Sequence, residues 1–316
     1  MNIGQTADLG LCCPPVMPDN GSERQTISVV REIPELRNAV SAAKSAGLKV
    51  ALVPTMGALH SGHLSLIHQA RDIVGGEGLV VVTVFVNPTQ FGPNEDLEAY
   101  PRDLESDLAK CQEAGADLVF VPAVEVMYRP DRSVSVHESK LATGLCGQAR
   151  PGHFDGVCTV VLKLFNIAQP DHAVFGEKDY QQLAVIRRMV RDLDVPVQIH
   201  GGPTVREDDG LAMSSRNAYL NSEQRIQAPA IRRGLLSVSE AMSNSEESSQ
   251  VSQLRELFIK QLSEGAPDAE YDYVEVVDAE SLEPLDVVDR PAVMACAVFF
   301  GSTRLIDNIS LTPSPS

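Results

Sequence analysis

Residues 26–200 alternate short β-branched, apolar runs with longer amphipathic stretches, and this alternation constrains the fold more than any other feature of the chain. The runs that predict strands are 49–53, 79–86, 117–121, 172–175 and 195–199. The stretches that predict helices lie near 34–46, 63–74, 102–115, 156–168 and 179–193. Strands that are apolar on both faces and separated by helices are typical of a parallel sheet covered on both sides. The sequence therefore predicts an α/β fold with a Rossmann-like parallel sheet and helices on both faces.

The chain beyond residue 200 follows a different pattern. A polar stretch at 201–221 precedes two helical patterns, 222–243 and 250–264, and two strand-like runs, 271–277 and 292–300. Helices followed by strands, without alternation, are typical of an α+β arrangement. We therefore predict a smaller α+β C-terminal domain, which can act as a lid over the larger one.

The predicted domain limits follow from these patterns. The Rossmann-like domain spans 26–203 and the smaller C-terminal domain spans 204–311. Residues 1–25 combine Gly, Pro, Asn and Ser without a period, and 312–316 are similar. We predict a disordered N-terminal extension and a loose C-terminal tail.

Composition and charge disfavour several classes of function. A net charge of −17 and a pI near 4.8 work against tight non-specific binding to nucleic acid, which depends on neutralising phosphates. The longest apolar runs, such as 79–86, are far shorter than the roughly 20 residues that cross a bilayer. The N-terminus lacks the features of a secretory signal, and the six cysteines show no metal-type or redox-type spacing. We predict a cytoplasmic protein that binds neither nucleic acid nor membrane.

Polar residues follow three of the predicted strands, at the point where each strand ends. His60 and His63, in "PTMGALHSGH", follow the first strand, and Asn87 and Gln90, in "NPTQF", follow the second. Lys178, in "GEKDYQQ", follows the fourth. Open parallel sheets bind ligands beyond the carboxyl ends of their strands. We therefore expect these side chains to meet at one edge of the sheet.

The residue types at this edge are suited to phosphate. Gly57 and Gly62 allow a tight turn, and the free N–H groups that begin the next helix attract an anion. His60 and His63 can donate hydrogen bonds to phosphate oxygens and to the charge that develops on a leaving pyrophosphate. Two alternatives remain at this point. Zinc would need further ligands that H-x-x-H does not supply, and the two histidines could serve only to satisfy hydrogen bonds in the loop.

Other polar residues extend this pattern. Lys178 would aim a point charge into the same crevice, and "MSSRN" at 213–217 offers two hydroxyls and Arg216 on a loop-like stretch. Gln90, Gln182 and Asn87 can hold a hydroxylated acid without adding charge. Each residue type is also common on ordinary surfaces. The sequence contains neither a nucleophile elbow nor a G-x-x-x-x-G-K-[ST] loop, so it supports neither covalent hydrolysis nor P-loop chemistry.

Five segments follow one another along the chain: "PTMGALHSGHLSL", "VFVNPTQFGPNEDLEAYPR", "RPGHFDGV", "FGEKDYQQL" and "DGLAMSSRN". Together they closely resemble the pantothenate synthetase family, the pantoate–beta-alanine ligases, and the resemblance covers about 26–311. The H-x-G-H element alone is less specific, since it marks a superfamily of nucleotidyltransferases and class I aminoacyl-tRNA synthetases.

The resemblance implies a two-step reaction. ATP and pantoate give pantoyl adenylate and pyrophosphate, and the amine of β-alanine then attacks the acyl carbon and releases AMP. It also implies Mg²⁺, brought with ATP, and a homodimer formed through the larger domain. The partners expected are the small molecules ATP, pantoate and β-alanine.

The resemblance also implies roles for individual residues. The catalytic residues would be His60, His63, Lys178 and Arg216, which would contact the ATP phosphates. Residues that would bind or frame the nucleotide are Pro54, Thr55, Met56, Gly176, Lys178, Asp179, Val205, Met213, Ser214, Ser215 and Arg216. Residues that would hold or enclose pantoate are Asn87, Gln90, Gln182, the main chain of Met56, and His153. His153 would do so by ordering the loop over the acid.

Two positions depart from the family pattern. The residue between the histidines is often acidic in the family and is Ser61 here, a change expected to have little effect. The magnesium-binding carboxylates proposed for the family lie on the helix after "YPR", where this chain has Ser106 at one expected place. We therefore assign Asp107 alone as a metal ligand.

Two other functions fit part of the pattern. A nucleotidyltransferase would stop after transferring a nucleotide, but such chains are usually shorter and would leave the acid-binding glutamines without a role. A nucleotide-sensing module would bind ATP without turnover. AMP and pyrophosphate formation that requires both pantoate and β-alanine separates the ligase from both alternatives.

Overall fold

The computed structural model describes residues 27–93, 95–244 and 249–313. The predicted N-terminal extension at 1–25 lies outside the described residues, as do the last three residues of the predicted tail. In the part of the chain that the structure describes, every helix is too short or too polar to cross a membrane.

Six strands of the described chain form one sheet in which every neighbouring pair is parallel. They are β1 Ser28–Val30, β2 Val50–Thr55, β3 Leu79–Val84, β4 Leu118–Phe120, β5 His172–Gly176 and β6 Gln198–Gly202. Their spatial order is β1-β4-β3-β2-β5-β6. After β2 the chain adds β3 and β4 on one side of β2, and then β5 and β6 on the other side. The order of connection reverses between β2 and β5. Open parallel sheets bind ligands in the crevice at such a reversal.

Helices cover both faces of this sheet, as the sequence predicts. Val50 and Leu52 of β2 lie in one apolar cluster, whereas Ala51 and Val53 lie in another. Because successive residues of a strand point to opposite faces, this alternation requires cover on both sides. The helices of this domain are α1 Ile33–Ser45, α2 Ser61–Val74, α3 Leu104–Glu113, α4 Val124–Met127, α5 Cys146–Ala149, α6 His153–Ala168 and α7 Tyr180–Asp192. Short 3₁₀ helices span Pro88–Gln90, Glu177–Asp179 and, beyond β6, Ser215–Tyr219.

The sheet differs from the sequence-based expectation at its two edges. Strand β1 was not predicted, because its three residues are exposed or half-buried and form no apolar run. The strand predicted at 195–199 begins instead at Gln198. Pro196 has no N–H to donate to a neighbouring strand, so pairing starts after it.

The C-terminal domain contains helices and two antiparallel sheets. Its elements are α8 Ser222–Gln227, α9 Ala230–Ser243, β7 Ser249–Gln250, α10 Val251–Gly265, β8 Ala269–Asp278, β9 Val287–Val288, β10 Ala292–Phe300 and β11 Thr303–Leu311. The larger sheet has the order β11-β10-β8, and β7 pairs with β9. The helix predicted at 222–243 is divided before Ala230, where Pro229 lies between α8 and α9. Strand β11 was not predicted, since the buried Asp307 interrupts its apolar alternation.

The three-stranded sheet is buried on both faces. Val276 and Met294 pack with Phe258 of α10 in the core of the C-terminal domain. Val277 and Val293 belong to the same apolar cluster as the helices of the larger domain. The two domains therefore share a continuous core, which fixes strand β11 beside the loops that follow β5 and β6.

Candidate active site

A cavity of about 230 Å³ lies at the carboxyl ends of β2 and β5, where the strand order reverses. Sixteen of the sequence-predicted site residues line it: Pro54, Thr55, Met56, His60, His63, Asn87, Gln90, Gly176, Lys178, Asp179, Gln182, Val205, Met213, Ser214, Ser215 and Arg216. A larger cavity of about 850 Å³ lies between the domains and shares part of this lining, including Lys178, Gln182 and Arg216. His153 lines the larger cavity, and Asp107 lies beneath the loop that follows β2.

The loop that follows β2 is held in place by Asp107. Its two carboxylate oxygens accept hydrogen bonds from the backbone N–H groups of Ala58, at 3.0 Å, and Leu59, at 2.7 Å. Ala58 has a left-handed backbone with φ of 52°, a conformation that costs energy for a residue with a side chain. Asp107 is 2% exposed and stabilises this turn. Its assignment as a metal ligand stays a prediction, and among the described residues no group of three or more His, Cys, Asp or Glu side chains could hold a metal ion.

The two histidines flank the first turn of α2 and each uses Nδ1 within it. Nδ1 of His60 accepts the backbone N–H of Gly62 at 3.2 Å, and Nδ1 of His63 accepts the backbone N–H of His60 at 3.3 Å. Their ring centroids are 4.2 Å apart. A neutral imidazole that accepts at Nδ1 carries its proton on Nε2. Each histidine therefore has one Nε2–H donor left for a ligand.

Both imidazoles are neutral near pH 7. Burial, followed by the nearby Lys178 ammonium, lowers the pKa of His60 to about 4. Burial, followed by His60 itself, lowers the pKa of His63 to about 3. Because the two rings share one turn with a cation close by, charging either ring is unfavourable. The pair therefore offers two neutral hydrogen-bond donors.

Two cationic side chains reach the same cavity from different segments. Lys178 lies on the 3₁₀ helix after β5, and Arg216 lies on the 3₁₀ helix Ser215–Tyr219. The guanidinium of Arg216 donates to both carboxylate oxygens of Asp96, from Nε at 3.2 Å and from Nη2 at 3.0 Å. Asp96 was not assigned a role from the sequence. It belongs to the segment "FGPNEDLEAYPR", but no sequence pattern indicates that it pairs with Arg216, which is 120 residues away.

The amide side chain of Gln90 is fixed by its neighbours. Its Nε2 donates to Sδ of Met56 at 2.9 Å, and its Oε1 accepts from Nδ2 of Asn87 at 3.1 Å. Asn87 is 1% exposed. Its Nδ2 also donates to the carbonyl oxygen of Gly156, and its Oδ1 accepts from the Tyr128 hydroxyl and from the backbone N–H and hydroxyl of Thr89. The structure thus places Asn87 beside the cavity with its amide occupied by protein atoms. It can orient Gln90 in the wall of the cavity.

Gly156 of α6 lies against the turn that carries Gln90. A Cβ at this position would be 2.4 Å from the carbonyl oxygen of Thr89, which is backbone and cannot move aside alone. The close approach also brings the Gly156 carbonyl oxygen to 3.1 Å from Nδ2 of Asn87. A glycine is therefore required where α6 meets the 3₁₀ helix Pro88–Gln90.

His153 contacts the main chain of the same turn. Its Nδ1–H donates to the carbonyl oxygen of Gln90 at 2.8 Å, and its Nε2 accepts from Nη1 of Arg150 at 3.1 Å. Arg150 in turn forms a bidentate ion pair with Glu95, at 2.7 and 2.6 Å. Burial, followed by Arg150, lowers the pKa of His153 to about 4. Arg150 and Glu95 were not predicted, although both lie in segments that carry the resemblance.

These features define a class of protein. A parallel α/β domain with an H-x-G-H turn at a helix N-terminus, a lysine and an arginine around one crevice is typical of enzymes that bind a nucleotide and transfer its nucleotidyl group. The chain belongs to the pantoate-beta-alanine ligase family, whose family model matches residues 28–310.

Individual relatives agree with this family. The chain is 54% identical to a pantothenate synthetase from Akkermansia muciniphila, over 83% of this chain and 92% of that protein. It is similar to the crystal structure of pantothenate synthetase from Thermus thermophilus, with a TM-score of 0.82, 46% identity and coverage of 91% and 100%. A pantoate-beta-alanine ligase from Francisella tularensis, complexed with beta-gamma ATP and beta-alanine, matches with a TM-score of 0.69, 31% identity and coverage of 90% and 97%.

Proposed function

We propose that this chain joins pantoate to β-alanine at the cost of ATP, through a pantoyl-adenylate intermediate, and releases AMP and pyrophosphate. The observation that carries the proposal is the lining of the 230 Å³ cavity. Donors suited to phosphate, His60, His63 and Lys178, line the same space as the glutamine pair Gln90 and Gln182. Such a space can hold a nucleotide and a hydroxylated acid side by side.

In the first step, a carboxylate oxygen of pantoate attacks the α-phosphorus of ATP, and the bond to pyrophosphate breaks. Both reactants are anions, so catalysis requires positioning and electrostatic stabilisation, and no protein nucleophile takes part. The Nε2–H groups of His60 and His63 donate to the phosphate oxygens as charge develops on the leaving pyrophosphate. Lys178 supplies a positive charge beside them.

The nucleotide is framed by the remaining predicted residues of the cavity. Ser214, Ser215 and Arg216 bind the triphosphate, and Arg216 exchanges part of its contact with Asp96 for phosphate oxygens. The residues that frame the adenosine and the entrance to the cavity are Pro54, Thr55, Met56, Gly176, Asp179, Val205 and Met213. They combine apolar side chains with a few polar groups, as a site for adenosine requires.

In the second step, the amine of β-alanine attacks the acyl carbon, and the bond from that carbon to the oxygen of AMP breaks. Gln90 and Gln182 hold the acid during both steps, with the main chain of Met56. Asn87 and His153 act through Gln90. The 850 Å³ cavity adjoins the acid and gives the amine room to approach, while the C-terminal domain, as a lid, shields the adenylate from water.

Mg²⁺ is part of the proposal as the ion that would accompany ATP, where it would neutralise part of the charge on the phosphates. In the described geometry both oxygens of Asp107 already accept backbone N–H groups, so no step is assigned to a metal held by Asp107. A homodimer and a cytoplasmic location are further parts of the proposal. Light scattering on the purified protein tests the dimer.

Product analysis tests the proposed reaction. The purified protein is supplied with ATP and Mg²⁺, with pantoate and β-alanine added separately and together, and AMP and pyrophosphate are measured. We expect AMP to accumulate only when both acids are present, and pantoate alone to support exchange of labelled pyrophosphate into ATP. Release of pyrophosphate without AMP would indicate a nucleotidyltransferase, and ATP binding without any turnover would indicate a sensor.

A further inference from the structure

Two neighbouring residues of strand β11 contact the two segments that carry the phosphate donors. Nδ2 of Asn308 donates to the backbone carbonyl oxygens of Glu177, at 3.0 Å, and Lys178, at 2.9 Å. Asp307 accepts from Arg206, with Nη1 at 2.7 Å and Nη2 at 2.9 Å. The C-terminal domain therefore contacts the loop after β5 and the loop after β6 from one point of one strand.

The contact of Asn308 bears directly on the position of Lys178. Lys178 lies in a 3₁₀ helix of three residues, Glu177–Asp179, which leads directly into α7. A single amide that donates to two successive carbonyl groups fixes the orientation of both peptide planes. The Cα of Lys178 lies between these two planes, so Asn308 orients the bond from which the Lys178 side chain starts.

The contact of Asp307 has an equivalent effect on the second segment. Arg206 also donates from Nη1 to the carbonyl oxygen of Gly210 at 3.1 Å, and its backbone pairs with Ala212. The N–H of Met213 donates to the carbonyl oxygen of Val205 at 2.9 Å, which closes a hairpin. This hairpin leads without a break into Ser214–Arg216. Asp307, 4% exposed, anchors the base of the hairpin to the C-terminal sheet.

We propose that Asp307 and Asn308 are positioning residues, which fix the positions of the phosphate-binding loops after β5 and β6 relative to each other. They affect mainly the rate of adenylate formation, in which Lys178 and Ser214–Arg216 bind the triphosphate. They affect the rate of attack by the amine much less. The inference rests on the proposed function, because it assigns the two residues to one of its two steps.

Measuring the two half-reactions separately tests the proposal. Asn308→Ala removes both donors, and Asn308→Asp keeps the size of the side chain while removing the N–H groups. We expect either change to lower the rate of ATP–pyrophosphate exchange with pantoate by about 10- to 100-fold, since a displacement of about 1 Å has effects of that size. Conversion of supplied pantoyl adenylate and β-alanine to product should change by less than about 3-fold, because in that step no pyrophosphate departs.

A matched control and a double variant separate positioning from general damage. Ser310→Ala alters an exposed residue of the same strand and should leave both half-reactions unchanged. If Asn308 acts through Lys178, adding Asn308→Ala to Lys178→Ala should reduce exchange by less than about 3-fold further, since the effects of coupled residues do not add.

Three results would overturn the proposal. They are unchanged exchange in both Asn308 variants, an equal loss in the two half-reactions, and fully additive losses in the double variant. Failure of the proposed function itself is distinguishable, because the unaltered protein would then show neither half-reaction. Thermal unfolding of each variant is measured alongside, and Asn308→Asp is retained if Asn308→Ala does not fold.

Discussion

The two histidines of the H-x-G-H turn are neutral donors whose direction the backbone fixes. Nδ1 of each ring is occupied by an N–H of the first turn of α2, so the proton lies on Nε2. A permanently charged group in this position would bind ATP tightly before reaction. A neutral donor interacts weakly with the ground state and more strongly with the charge that develops on pyrophosphate, which is the difference that accelerates a reaction.

Replacement of His63 tests this role at the scale of one residue. In the proposed mechanism His63→Ala removes one donor to the leaving group, and we expect turnover to fall by about 10²- to 10³-fold. His68→Ala is the matched control, because His68 lies on the same helix and is exposed. Steady-state rates of AMP formation for both variants decide the matter. Equal activity of the two variants would show that His63 has only a structural role.

Residue roles could be predicted from the sequence only where a motif carries them. The positions of His60, His63, Lys178 and Gln182 relative to strand ends were enough to predict that they line one cavity. The partners of these residues could not be predicted. Asp96 reaches Arg216 across 120 residues and Asn308 reaches Lys178 across 130, and such pairs depend on the packing of whole elements.

At the scale of elements, the loop after β2 depends on the first turns of α3. Asp107 belongs to α3, yet its carboxylate holds the backbone of Ala58 and Leu59 in the loop that leads to His60. The helix thus supports a site that it does not line. Periodicity predicted the helix at 102–115, but it could not show that one inward-facing carboxylate would be used by another element.

Replacement of Asp107 distinguishes loop support from metal binding. Asp107→Asn places an amide N–H₂ against backbone N–H groups, and we expect the free energy of unfolding to fall by about 1–3 kcal/mol. Turnover should fall by about 10²-fold as the histidines move. Glu105→Gln, on the exposed side of the same helix, is the control. If added Mg²⁺ restores the activity of Asp107→Asn, the carboxylate is a metal ligand and not only a loop support.

The strands and helices were predicted where the pattern of side chains is regular. The buried centre of the parallel sheet and most of its helices follow from apolar runs and amphipathic stretches. Edge strand β1 and strand β11 were missed because half-exposed residues and the buried Asp307 disturb the period on which such predictions rest. In β11 the residue that interrupts the period is Asp307, which forms an ion pair with Arg206.

At the scale of the whole molecule, half-buried neutral histidines link stability to pH. The pKa values of His60, His63 and His153 are lowered to about 4, 3 and 4, against 6.5 for the unfolded chain. Between pH 6.5 and about 4 the unfolded chain binds more protons, so stability falls as the pH falls through this range. The pH dependence from these rings fades above pH 6.5, as the unfolded chain loses its protons as well.

Denaturation at several pH values measures this link. We expect the free energy of unfolding to fall between pH 7.5 and pH 5, by at most about 1.4 kcal/mol per pH unit for each ring. His63→Gln should reduce the slope, because one proton-binding site of the unfolded chain is removed. The exposed His68→Gln serves as the control. Identical slopes for His63→Gln and the unaltered protein would contradict the assigned pKa.

The contact between Gly156 and the carbonyl oxygen of Thr89 has a consequence for how variants of this chain should be judged. An alanine there would count as a mild exchange by any measure of size or polarity. The added methyl group would nevertheless displace the turn that presents Gln90, so the shape of this wall of the cavity depends partly on a glycine that lies far along the chain. Pocket engineering that surveys only groups facing the ligand would overlook it.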